Sequence, residues 1–331
     1  MFDLAAMPPG WAEGALGWAI VGGGKIVVLG EVLADPAVLL AVCEHLAPSM
    51  NGRAAWRLAL VLDSIRLDPS GDLLDEADRE WLTSALSHNV DERVGRWRSA
   101  VNRLAADGVS VISCADDDYP QNLAMVYDRP PVLFVRGSLT ASDAWSVAVV
   151  GTRQPSPAGV RLATKVTTEL AETGVTIVSG LARGIDTAAH AAALNTGGRT
   201  IAVFGTTIDT VYPATNRALA RSIARSGACV SQFLPGSSTR PWFFPVRNVT
   251  ASGMSLGTIV VEAGETSGAR LQAQAAIAQG KKVFLVEQLV TRQPWAKEMA
   301  DREPLVTMAG DVDSILQAVD AELATPTELL L

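Results

Sequence analysis

Four stretches of the chain combine small residues with polar or basic ones in a way that suits an anion. Gly151-Thr152-Arg153 joins a residue that lets the backbone turn tightly to a hydroxyl and a guanidinium fork, both good phosphate partners. Ser179-Gly180-Leu181-Ala182-Arg183-Gly184 repeats the combination, with Ser179 and Gly180 as hydroxyl and backbone donors and Arg183 as the cation. Arg247 and Asn248 follow the aromatic cluster Trp242, Phe243 and Phe244, and an arginine beside aromatic rings can hold a phosphate while a base stacks nearby. Ser267-Gly268 stands where a helix should begin, a natural anion seat, and Lys281 is a further candidate cation. Plain alternatives exist: a strand-to-helix turn with a solvated arginine for the first, a loop packed down by its aromatics for the third.

Catalytic chemistry finds less support. Asp186 and His190 are four apart and could pair on one helix face, but no nucleophile stands at a recognisable spacing, so a structural pair or helix cap is the expectation. Glu262, at the end of an apolar run, could accept hydrogen bonds from a ribose or act as a general base. The turn at 151 is neither G-x-G-x-x-G nor G-x-x-x-x-G-K-[ST], which argues against a dinucleotide cofactor and against an ATPase. Cys43, Cys114 and Cys229 lie far apart without a C-x-x-C pair, so neither a metal nor a disulfide framework is expected, and no cofactor.

These residues need a scaffold, and from residue 145 the pattern supplies one. Apolar runs near Trp145–Val150, Val175–Val178, Thr200–Phe204, Ala228–Ser231, Thr258–Glu262 and Lys282–Val286 alternate with helical stretches that start near Pro157, Ile185, Asn216 and Gly268. Between the fourth and fifth runs lies a long loop, Leu234–Val246, with three prolines, then a short helix. Such alternation predicts an α/β fold with a doubly wound, mainly parallel sheet and ligands beyond the carboxyl ends of the strands. Four anion-friendly loops then fall on one edge of one sheet.

At 331 residues and 48% hydrophobic, the chain is long enough for two domains and too apolar to be disordered. Charge is segregated: residues 1–140 carry 11 basic and 19 acidic groups, 141–290 carry 13 and 8, and 291–331 carry 3 and 8. The net −8 therefore hides a basic middle block able to attract a polyanion by its local field. No apolar run is long enough to span a membrane, and the acidic residues Asp3 and Glu13 do not fit a secretion signal, so a cytoplasmic protein is expected. The expected division is a mostly helical region over 1–107, a Rossmann-like core over 108–290 with a lead-in at 108–140, and a short acidic tail over 291–331 with one helix near Val312–Leu323.

The segments VAVVGTRQPSPAG, GVTIVSGLARGIDTAAHAAAL, GGRTIAVFGTTIDTVYPATNRALA, FPVRN and SLGTIVVEAGETSGA resemble, in order, the motifs of the DprA/Smf family of bacterial DNA-processing proteins. The resemblance covers roughly residues 108–320. It implies an extended Rossmann-like fold and a non-catalytic, homodimeric binder of single-stranded DNA. Such a protein protects the strand and helps load a RecA-type recombinase in DNA uptake and recombination. Position by position it places the phosphate turn on Gly151–Arg153, a second loop on 179–186 and the arginine of the family's RNR element on Arg247. The chain departs from the family at Val249, where a second arginine is usual. It departs again where SGSLITA becomes Ser267-Gly268-Ala269-Arg270-Leu271-Gln272-Ala273, and at Glu287-Gln288 after the last strand, where a Pro-Gly is usual. No segment of winged-helix size follows residue 290. The alternatives are a nucleotide-binding protein or nucleoside-monophosphate N-glycosidic hydrolase on the same fold, the latter using Glu262, and a divergent interaction protein that binds no DNA.

Overall fold

The computed structural model describes residues 19–22, 25–28, 30, 33–48, 50–69, 73–87, 89–310 and 312–323. The chain forms two compact units, Met1–Tyr119 with Asp128–Leu133, and Pro120–Tyr127 with Phe134–Leu331.

The first unit is mostly helical. Strands β1 (Ala19–Gly22) and β2 (Lys25–Val28) form an antiparallel pair, followed by α1 (Pro36–Leu46), α2 (Gly52–Leu67), α3 (Glu76–Ser87), α4 (Val90–Ala106) and β3 (Val109–Ser113). The sequence-based boundary at residue 108 therefore lies inside this unit, between α4 and β3. Asp35 caps α1 by accepting from the Ala37 amide, and Pro36 takes the first helical position, where its missing N–H is no loss. Arg93 of α4 is buried and donates to the carbonyls of Ala41 in α1 and Ala85 in α3, tying three helices through one side chain.

The second unit is the alternating βα region. The helical turn α5 (Gln121–Ala124) precedes β4 (Val132–Gly137), within which the chain passes from the first unit to the second. Then come β5 (Ser146–Val150), α6 (Pro157–Glu172), β6 (Thr176–Ser179), α7 (Ile185–Asn195), β7 (Thr200–Val203), α8 (Arg217–Ser226) and β8 (Ala228–Ser231). After these follow α9 (Phe243–Gly253), β9 (Gly257–Val260), α10 (Gly268–Ala278), β10 (Lys282–Val286), α11 (Glu287–Arg292), α12 (Pro294–Arg302), β11 (Val306–Ala309) and α13 (Val312–Leu323). The strands run in the order β11-β10-β9-β5-β6-β7-β8-β4, all parallel except β4, which pairs antiparallel with β8. From β5 the chain winds one way through β6, β7 and β8, then returns to place β9 on the other side. The crevice at such a reversal, beyond the carboxyl ends of the strands, is where a doubly wound sheet binds ligands.

Two elements differ from expectation. The acidic tail is part of the fold: β11 extends the sheet beside β10, and Trp295, Met299, Ile315 and Val319 are buried in the main core. Residues 291–331 thus hold α12 and β11 besides the expected helix. In addition, α9 starts at Phe243, inside the expected loop, because Pro245 falls in the first turn of the helix, where proline is tolerated. This moves Arg247 from a helix start into the second turn.

Candidate nucleic-acid interface

The loops after β5 and β6 interlock. The Thr152 amide donates to the Glu262 carbonyl at 2.6 Å, and the Ile185 amide donates to the Thr152 carbonyl at 3.2 Å. Gly184, at φ +84°, lets the second loop pass against the first, since a Cβ there would strike the Thr152 carbonyl. Both loops leave an arginine outside. Arg153 and Arg183 are exposed, and Arg153 holds its guanidinium 5.6 Å from the centre of the Phe244 ring.

Beneath them lies a layer of groups consumed by the fold. The Ser179 hydroxyl is fully buried and donates to the Val149 carbonyl at 2.7 Å. The amides of Gly180 and Ala182 donate to the Asp186 carboxylate at 3.1 and 3.3 Å. The Arg247 guanidinium donates to the carbonyls of Gly180 and Val203, and its Nε donates to Asn248 Oδ1. A Cβ at Gly180 would collide with that guanidinium, so glycine is required there by close approach. Asn248 in turn donates to the Gly268 carbonyl at 3.0 Å. Burial lowers the pKa of Arg247 and raises that of Asp186, and each opposes the other's shift. Ser179, Gly180 and Arg247 are thus spent inside the protein, although Arg247 also lines the cavity described next.

Asp186 and His190 do not pair. His190 Nδ1 lies 2.7 Å from the Thr200 hydroxyl, which donates to the Ile177 carbonyl. The Thr200 proton is committed to that carbonyl, so Nδ1 donates to the Thr200 oxygen. Burial lowers the His190 pKa to about 3 and keeps the ring neutral.

A cavity of about 450 Å³ opens beside this layer. Gly151, Thr152, Arg153, Phe244, Ser267 and Gly268 line it, so the turn after β5 and the first turn of α10 share one recess. Ser267 caps α10 by accepting from the Ala269 amide at 3.2 Å. Of the three aromatics singled out in the sequence, only Phe244 lines this cavity. Phe243 is buried and stacked on Phe233 with centroids 3.8 Å apart, and Trp242 meets Phe243 edge-on. The exposed ring of Tyr212, 5.5 Å from Phe244, is an aromatic partner that the sequence reading missed. The motif VYPATN contained it but carried no mark of orientation.

Lys281 is elsewhere. It precedes β10, at the amino ends of the strands, and its ammonium donates to the carbonyls of Asn122, Ser252, Gly253 and Ser255. Glu262 lines a second cavity of about 580 Å³, and its carboxylate accepts the amide and hydroxyl of Ser156 at the start of α6. The Arg270 that departs from the family pattern pairs with Glu265 and lies 5.6 Å from the Trp295 ring. Among the described residues, no three His, Cys, Asp or Glu side chains are grouped to hold a metal ion, and no helix is long and apolar enough to cross a membrane.

Fold and site together define a Rossmann-like α/β protein with a recess at its topological switch point, lined by the turn after β5 and the first turn of α10. The chain belongs to the DprA/Smf family: residues 110–318 match the family described as DNA recombination-mediator protein A. It is 34% identical over 259 residues to the DNA processing protein DprA of Bacillus subtilis, spanning 76% of this chain and 84% of that protein. It is 42% identical to the Escherichia coli protein Smf over 175 residues, spanning 53% of this chain and 47% of that protein. The X-ray structure of DprA from Streptococcus pneumoniae superposes with a TM-score of 0.66 at 28% identity, covering 85% of this chain and 97% of that one. A DNA processing protein A from Helicobacter pylori, whose structure describes a single-stranded DNA binding mode, shares the fold at a TM-score of 0.57 and 24% identity, covering 65% of this chain and 96% of that one.

Proposed function

We propose that the chain is a non-catalytic, cytoplasmic mediator of DNA recombination that binds single-stranded DNA at the carboxyl edge of the sheet. In this role it shields the strand and hands it to a RecA-type recombinase, working as a homodimer. Membership of the recombination-mediator family supports the role, and the Helicobacter pylori relative supports the ligand. The observation that carries the reading is Arg153. An exposed guanidinium stands by an aromatic ring at the mouth of a recess floored by a helix N-terminus, which suits a phosphate next to an unstacked base.

Fluorescence anisotropy of a labelled oligo-dT strand across a salt series tests this with wild type and an Arg153→Ala/Arg183→Ala double variant. Both side chains are exposed, so the fold should survive their removal. Salt-sensitive binding by the wild type, weakened in the variant, is expected. A flat salt response, or equal binding by both proteins, would overturn the reading.

A further inference from the structure

The 450 Å³ cavity contains one polar group that phosphate binding leaves unused. Gln272 stands in the second turn of α10, lines the cavity and is only 3% exposed. Its side-chain nitrogen is buried and has no hydrogen-bond partner. Burying an amide donor without an acceptor is unfavourable, and packing gives no reason for an amide there: Ala269, Ala273 and Ala276, on the buried side of the same helix, are all small and apolar. A carboxamide holds a donor and an acceptor side by side in one plane. That arrangement matches a base edge that presents an acceptor next to a donor, as adenine does through N7 and N6, and unstacked bases in single strands expose such edges. The walls beside it suit a base as well: the Phe244 ring on one element and the half-exposed Leu271 on another.

We infer that Gln272 is a specificity-determining residue that reads the edge of one nucleobase seated in this cavity, while Thr152, Arg153 and the first turn of α10 hold the neighbouring phosphate. The inference rests on the single-strand reading above and adds base preference to it. Phosphate contacts position a strand without reading its sequence, so a chain lacking this amide would bind all strands alike.

The test is anisotropy titration of oligo-dA, oligo-dC, oligo-dT and an abasic strand of equal length against wild type, Gln272→Leu and Gln272→Glu. Wild type should favour oligo-dA and spread the strands over about tenfold in affinity. Gln272→Leu keeps the volume and loses the hydrogen bonds, so it should compress that spread to about twofold without changing the salt slope. Gln272→Glu offers acceptors only and should move the ranking toward oligo-dC, whose N4 amine is a donor. A Leu variant with the wild-type ranking, or one that weakens every strand including the abasic one by a single factor, would overturn the inference while leaving single-strand binding intact. Wild type that binds none of the strands would overturn both.

Discussion

The two ends of the parallel sheet use the same residue types for opposite purposes. At the amino end, Arg199 forms an ion pair with buried Asp143, with contacts of 2.6 and 2.8 Å, and Lys281 is wrapped by four backbone carbonyls. At the carboxyl end, Arg153 and Arg183 are exposed, the first beside the Phe244 ring. A cation with its partners inside the protein contributes to stability, whereas one without them is available to an anion from outside. Position along the strand decides which: parallel strands send their loops and helix N-termini toward the carboxyl edge. Arg247 breaks the simple form of this contrast. It belongs to the carboxyl edge by position and to the structural set by its contacts.

The largest effect expected tests that exception. Arg247→Ala removes the main counter-charge of buried Asp186 and the donor to two carbonyls, at a cost of about 3–5 kcal/mol. The melting temperature should fall by about 10 °C or more. Arg247→Lys should recover little, since one ammonium cannot replace the fork that reaches Gly180, Val203 and Asn248 at once. An unchanged melt combined with lost DNA binding would make Arg247 a ligand group and remove the buried layer from the account.

Next in size is Lys281→Met, which strips the carbonyls at the end of α9 of their cation. A loss of roughly 2 kcal/mol by urea denaturation is expected, with single-strand affinity within about twofold of wild type. Weakened binding in a stable protein would erase the distinction between the two ends of the sheet.

The buried layer also predicts a pH dependence. His190 titrates near 6.5 when unfolded and at about 3 when folded, so the folded state resists taking up the proton. Its contribution is complete above pH 6.5 and is lost as the pH falls toward 3, at about 1.4 kcal/mol per unit. Urea midpoints between pH 6.5 and 5 follow this loss, and comparison with His190→Gln separates it from Asp186, whose raised pKa acts in the opposite direction. His190→Gln should flatten that interval, and a wild-type curve already flat there would mean that the ring is not held neutral.

Much of this arrangement was legible in the sequence, and the failures have physical causes. The βα order from residue 145 could be read because glycines and prolines punctuate apolar runs buried on both faces. The tail misled because its buried residues, Trp295, Met299, Ile315 and Val319, are spread among acidic ones that merely face water. Arg247 misled because an arginine beside aromatics looks the same whether its helix turns it outward or inward, and the one-turn shift of α9 turned it inward. Lys281 precedes its strand, so strand direction alone places it at the amino end of the parallel sheet, away from the anion-friendly loops. Ser179 could not have been placed, because hydroxyls on a strand serve neighbouring carbonyls as readily as ligands.

The smallest effects should come from the exposed arginines taken singly, and they sharpen the comparison most. On the single-strand reading each removes one phosphate contact, and neither is part of the core, so Arg153→Ala and Arg183→Ala should both melt within about 1 °C of wild type. In single strands each contact contributes about 0.7 to the slope of log affinity against log salt. Each variant should therefore reduce that slope by this amount and bind a few-fold more weakly at moderate salt. The two should still differ from each other. Arg153 stands by Phe244 and can hold a phosphate next to a stacked base, whereas Arg183 has no aromatic neighbour among the described rings. Phe244→Ala should accordingly weaken binding further in the Arg183→Ala background than in the Arg153→Ala background, a coupling readable from a double-mutant cycle. Equal losses in both backgrounds would mean that the arginines act only as a general positive field, with no ordered path for the strand across the carboxyl edge.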